Sequence, residues 1–213
     1  VKITASLALV ALIAVAGAPA NAGDALAAAD AAYAKVNDYV ATATVHEILG
    51  TAVEDRVYRY SYLRPTHVRV DILSGPGRGG GAVWNGGDTV SGHQGGFLSG
   101  IHLTISIHDK RATSLRGDTI DTGVLGAYLD QFKTVKGQIT EKDDTTLEGA
   151  QVDEVSLQPS DPTSIDGITR IDLYLSKTTH LPVERRRFIG TQLIKSEKIT
   201  DLKIDTGLTP DNF

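Results

Sequence analysis

His93, His102 and His108 fall close together in the sequence, with Asp109 beside the last. Imidazole and carboxylate in one neighbourhood are the donors of a zinc or copper site. His102 and His108 share one face of the alternating segment IHLTISIH (101–108). Six positions along a strand, however, span about 20 Å, whereas metal–ligand bonds are near 2 Å. No joint metal site is expected. The glycine-rich run GPGRGGG (75–81) lacks the lysine and hydroxyl residue of a phosphate-binding loop and does not open a helix. Neither a Gly-x-Ser-x-Gly elbow nor His-Glu-x-x-His is present, and the chain has no cysteine to act as a thiol nucleophile. The residues support no catalytic centre and no cofactor, so the expectation is a binding protein and not an enzyme. An enzyme would need titratable groups clustered in a cleft. The one basic cluster is Arg185-Arg186-Arg187. Strand alternation sends Arg185 and Arg187 to one face and Arg186 to the other. The run reads as a solvated face paired with carboxylates such as Glu184 and Glu197, with an acidic partner or lipid headgroup as the alternative.

The elements that position these residues begin behind a leader. Residues 1–22, VKITASLALVALIAVAGAPANA, place Lys2 before an apolar run and end in an Ala-x-Ala cleavage pattern at Ala20 and Ala22. The expectation is a signal peptide removed before Gly23, with a single domain over 23–213. The apolar run is short for a span of roughly 20 residues, so no transmembrane segment is expected in the mature chain. Export into a periplasm as a soluble monomer follows, since the absence of cysteine also removes the attachment point of a lipoprotein's lipid. The whole chain carries 21 basic and 26 acidic side chains, net −5, and loses Lys2 with the leader. An acidic balance argues against nucleic acid and against an electrostatic grip on anionic membranes.

Beyond the leader, Leu26, Ala29, Tyr33 and Val36 are spaced for one face of a helix over 24–36. From there the period changes to two. Segments 41–49, 54–63, 67–73, 82–84, 89–91 and 101–108 alternate and are separated by turn residues such as Gly50 and Asn85-Gly86-Gly87. GPGRGGG joins two of them as a mobile hairpin loop. Between Thr119 and Lys133 the period returns to that of a helix, with Val124, Leu125, Tyr128, Leu129 and Phe132 on one stripe. Five more strand-like segments close the chain, from 135–142 to 191–205. The class is α+β and mainly antiparallel β: a large sheet, a leading helix and one apolar helical insertion.

Tyr58, Tyr60 and Tyr62 share a strand face, making a wall that can touch a ligand or simply pack the sheet. Trp84, the sole tryptophan, reads as core or pocket wall. The stripe from Val124 to Phe132 reads as lid lining or plain core, since both bury the same residues.

The segment YSYLRPTHVRV (60–70) and the ending RIDLYLSKTTHLPVERRRFIGTQLIKSEKITDLKIDTGLTPDNF resemble those of the periplasmic LolA/LolB-like lipoprotein carriers and outer-membrane lipoprotein-sorting proteins. That resemblance implies an unclosed, half β-barrel whose concave face is covered by helices and accepts the acyl chains of a lipid or lipoprotein. It implies as well that Arg64, before Pro65, bonds to the helical lid; a guanidinium can engage several carbonyls at once. The ligand-binding set expected on this basis is Tyr58, Tyr60, Tyr62, Arg64, Trp84, Val124, Leu125, Tyr128, Leu129 and Phe132. GPGRGGG and His93-Gln94-Gly95-Gly96 depart from the carriers. The alternative function is an envelope interaction or sensor module that uses the same fold to bind a protein partner.

Overall fold

The structure is a computed structural model that describes residues 24–96 and 100–213; the leader expected over 1–22 lies outside the described residues. The elements are α1 (Asp24–Tyr33), β1 (Asp38–Leu49), β2 (Ala52–Leu63), β3 (His67–Ser74), β4 (Gly81–Trp84), β5 (Thr89–His93), β6 (His102–Ser106), α2 (Leu125–Thr134), β7 (Gly137–Leu147), β8 (Ala150–Pro159), β9 (Arg170–Ser176), β10 (Pro182–Ile189) and β11 (Gln192–Ile204). Helix α1 ends three residues before the expected Val36.

All eleven strands form one antiparallel sheet in the order β6-β5-β4-β3-β2-β1-β11-β10-β9-β8-β7. Each strand pairs with its neighbour in sequence except at one seam, where the first strand meets the last: Ala43 faces Ile199 and Val45 faces Glu197. Two meanders are thus joined back to back. The consequence is that β6 and β7, consecutive in the chain, lie at opposite edges. The thirty or so residues between them must cross the sheet, and the sheet is left unclosed.

Alternation defines the concave face. Tyr39, Ala41, Ala43 and Val45 of β1 lie in register with Tyr62, Tyr60, Tyr58 and Arg56 of β2. Val68 and Val70 continue the apolar surface on one side, and Ile171, Leu173, Val155 and Leu157 on the other, all buried. The crossing segment and both helices cover this face.

The crossing segment is not the continuous helix that its period predicts. A 3-10 turn (Ile120–Gly123) is followed by an extended Val124, and only then by α2. The break has a local cause: a Cβ on Gly123 would lie 2.3 Å from the Tyr60 hydroxyl, so the backbone rests directly on that tyrosine. Val124 offers no side-chain cap, and the Leu125 N–H donates instead to the buried Tyr39 hydroxyl at 3.0 Å. Strand β6 is also shorter than expected. It ends at Ser106, and His108 sits in the turn beyond, so His102 and His108 do not share a strand face.

Helices α1 and α2 meet where Gly126 removes the side chain that would obstruct Tyr33; a Cβ there would stand 2.7 Å from the Tyr33 ring. Gly126→Ala is expected to destabilise the fold by about 1–3 kcal/mol through this overpacking. Urea denaturation checks it: a midpoint equal to that of the wild type would show that the helices have room to part.

Candidate functional site

Between the concave face of β1–β5 and residues 111–123 of the crossing segment lies a chamber of about 140 Å³. Its wall is Val45, Tyr58, Tyr60, Val70, Ile72 and Ala82; its roof runs from Arg111 to Ser114 and from Asp118 to Gly123. Strand alternation and register bring the wall together, since Tyr60 faces Val70 and Val70 faces Ala82 in adjacent strands. One end of the chamber is charged, lined by Arg56, Asp118, Lys195 and Glu197.

That end belongs to a buried network. Lys195 Nζ lies 2.6 Å from Glu47, 2.7 Å from Asp118 and 3.3 Å from Glu197. Arg187 grips both Asp118 oxygens, one through NH1 at 2.9 Å. Arg185 Nε donates to Glu197 at 2.7 Å. Its other nitrogens reach the crossing segment, at the Gln131 side chain (3.2 Å) and the Thr122 carbonyl (3.4 Å), while its guanidinium stacks 3.8 Å over the Tyr128 ring. Glu47 accepts from the Ser114 hydroxyl at 2.8 Å and from the Leu115 N–H at 3.1 Å. Three cations and three carboxylates balance, and Asp118 ties the crossing segment to β10 and β11.

Arg185 and Arg187 share the concave face and Arg186 the other, as alternation requires. The pairs Arg185–Glu197 and Arg186–Glu184 are both present. The face is not solvated, however: Arg185 and Arg187 are only 3% and 6% exposed, because the crossing segment lies on top of them.

Ionisation follows from this packing. Burial opposes the Glu197 charge, but Arg185, Lys195 and Arg187 outweigh it and bring the carboxyl down to about 2. Asp118 is likewise held well below the usual carboxylate range: burial works against its charge, and Arg187 and Lys195 overcome it. On Tyr60, burial pushes the hydroxyl well above its ordinary value, so it is neutral.

The expected ligand-binding residues separate into groups. Tyr58 and Tyr60 line the chamber. Tyr62 does not; it stacks on Tyr39 at 5.1 Å within the core. Arg64 clasps the end of α1, Nε donating to the Val36 carbonyl at 3.0 Å and NH2 to the Tyr33 carbonyl at 2.8 Å, with the guanidinium over the Tyr33 ring. Trp84 packs against the core and donates its Nε1–H to the Gly87 carbonyl at 2.9 Å. Val124, Leu125, Tyr128, Leu129 and Phe132 are buried in the core and lie apart from the chamber lining. Of the roof, residues 119–123 read only as the start of the helix, and residues 111–118 drew no notice in the sequence. Nor did Glu47, Asp118 and Lys195, although two of them carry a signal: a charge at a strand position where alternation demands an apolar residue.

No protein-family model and no curated protein matches the sequence. Solved structures do. MucB superposes with a TM-score of 0.54 at 16% identity, over 91% of this chain and 62% of its own. MucB in complex with MucA(peri) gives 0.50 at 15% identity, over 90% and 58%. A putative outer membrane lipoprotein-sorting protein domain from Vibrio parahaemolyticus aligns over 90% of this chain and 97% of its own, at 15% identity and a TM-score of 0.45. The chain shares the fold of MucB. The unclosed sheet with helices over its concave face is the half-barrel that the sequence resemblance implied. This chain spans about three fifths of the length of MucB.

The network makes stability pH-dependent. The Glu197 carboxyl has its ordinary value of 4.5 when unfolded and about 2 when folded. Its contribution, on the order of 3 kcal/mol, is therefore complete above pH 5 or so and is lost as the pH falls through 4.5 towards 2. Asp118 acts in the same direction. Thermal melts at stepped pH are expected to fall steeply in that window, and constant stability from about pH 6 to 3 would contradict the account.

Proposed function

We propose that this chain is an exported, periplasmic carrier that binds the acyl chains of a lipid or lipoprotein inside its half-barrel. The observation that supports this best is the chamber wall of Tyr58, Tyr60, Val70 and Ile72, roofed by a segment that belongs to no strand. Its driving force is transfer of apolar surface out of water, at about 25 cal/mol per Å². At about 140 Å³ the chamber is smaller than the roughly 300–1,000 Å³ of a typical small-molecule site. Loading therefore requires residues 111–123 to lift, and the bonds to be exchanged for cargo contacts are those of Asp118, Ser114 and Leu115. A carrier must release as well as bind. Closed-state bonds that compete with cargo serve that need, and Arg64 plays the corresponding part for α1. No helix of the described residues is long and apolar enough to cross a membrane. The protein acts as a monomer, without a cofactor and without nucleic acid.

The second reading is an envelope module that binds a protein partner. It is favoured by the likeness to MucB, whose solved complex holds MucA(peri).

Native mass spectrometry of protein purified from a bacterial periplasm without detergent separates the two readings. The carrier is expected to show discrete mass additions that extract as acylated species. Ala82→Trp, which fills the chamber from its wall, is expected to lose them. A bare mass that persists after incubation with phospholipid and acylated peptide favours the protein-binding module.

A further inference from the structure

The two edges of the sheet, β6 and β7, are built differently. Strand β7 is guarded. A bulge between Lys142 and Thr145 interrupts its register, Asp144 is left-handed at φ 53°, and Glu141, Lys142 and Asp143 put charge along it. Bulges and charges of this kind keep foreign strands from pairing with an edge. Strand β6 reads His102-Leu103-Thr104-Ile105-Ser106: it has no proline and no lysine, arginine or carboxylate, and its register against β5 is unbroken.

The phase of the hydrogen bonds fixes which groups of β6 are open. The Ile107 N–H donates to the Asp88 carbonyl at 2.9 Å, and these residues continue the register in which Ser106 faces Thr89. Positions that exchange backbone bonds alternate along an antiparallel pair. Leu103 and Ile105 therefore bond to β5, while the N–H and C=O of His102, Thr104 and Ser106 point away from it. The Ser106 carbonyl accepts from the Asp109 N–H at 3.0 Å. No described residue pairs with the N–H and C=O of His102 and Thr104, or with the Ser106 N–H.

What lies against this edge follows from the concave face beside it. Leu103, 45% exposed, stands there with Ile105 and Val90, lining a groove of about 90 Å³ that shares Gly81, His93 and Arg111 with the chamber. An acyl chain that runs out of the chamber along this groove emerges beside β6. The cation at the junction is already committed: Asp109 grips the Arg111 guanidinium at 2.9 and 2.7 Å, which leaves it poorly placed to take a phosphate head group. The edge offers a row of backbone donors and acceptors instead, and a polypeptide is the continuation of an acyl chain that can use them. We propose that β6 is the docking edge for the polypeptide portion of an acylated protein. With the acyl chain in the chamber, the residues next to the acylated one add to the sheet as an extended strand, pairing with His102, Thr104 and Ser106 and covering Leu103 and Ile105 with alternate side chains. The inference rests on the carrier reading and narrows its cargo from any acyl lipid to an acylated polypeptide.

Isothermal titration of the mature protein with two single-chain amphiphiles tests it: palmitoyl lysophosphatidylcholine below its micelle concentration, and a short peptide of alternating valine and threonine, closed by lysines and palmitoylated at its N-terminus. The wild type is expected to bind the palmitoylated peptide about tenfold or more tightly than the lysophospholipid, the worth of one or two net hydrogen bonds. Thr104→Pro removes an N–H that points away from β5, a position where an edge strand tolerates proline. The variant is expected to lose the preference and to bind lysophospholipid as the wild type does. Hydrogen exchange on the wild type needs no variant: the amides of His102, Thr104 and Ser106 are expected to slow with the palmitoylated peptide and not with lysophospholipid. Equal affinity for the two amphiphiles, a preference that survives Thr104→Pro, or edge amides that exchange as before overturns the inference and leaves the carrier standing. Binding of neither amphiphile overturns both. A dimer that Thr104→Pro dissolves assigns the edge to a second copy of the chain and overturns the peptide.

Discussion

Where Asp118 comes down on β10 and β11, Arg187 and Lys195 meet it in a place almost without solvent. Taking such charges out of water costs several kcal/mol per ion, and mutual attraction offsets this only when geometry and hydrogen bonding are nearly complete. Here the completion comes from the crossing segment: Asp118 supplies the third carboxylate, while Ser114 and Leu115 satisfy Glu47. Lifting that segment would leave Arg187 and Lys195 facing fewer carboxylates. The roof of the chamber is therefore held by these charges as well as by the apolar contacts of Ile120 and Ala112. An all-apolar seam would hold the segment as tightly but would not fix its register over the sheet.

Topology places the segment there. Pairing of the first strand with the last puts β1 in the middle of the sheet and sends consecutive strands β6 and β7 to opposite edges. The chain between them has to traverse the concave face. The two halves of that traverse behave differently. Helix α2 buries Leu125, Tyr128, Leu129 and Phe132 in the core, beside α1 and β10; residues 111–123 lie over β1–β5 and leave the chamber.

Much of this was legible in the sequence. Alternation located every strand, and the tyrosines of β2 were placed on one face because a strand has a period of two. The division of Arg185 and Arg187 from Arg186 was legible for the same reason, as were their partners Glu197 and Glu184. Burial was not, because the sequence of a strand does not say what lies on top of it. The helical stripe from Val124 to Phe132 was recognised, but periodicity cannot separate a core helix from a lid. Residues 109–118 have no period at all, so that part of the roof left no mark. The meeting of His93 with His102 depends on register between strands, which spacing along the chain does not encode.

Backbone NMR of the isotope-labelled mature protein, titrated with a lysophospholipid below its micelle concentration, tests the central claim most directly. The account predicts saturable shifts at Tyr58, Tyr60, Val70, Ile72 and Ala82 and throughout residues 111–123, with α2 and the outer face unmoved. Shifts confined to the outer face or to α2, or none at all, would contradict it.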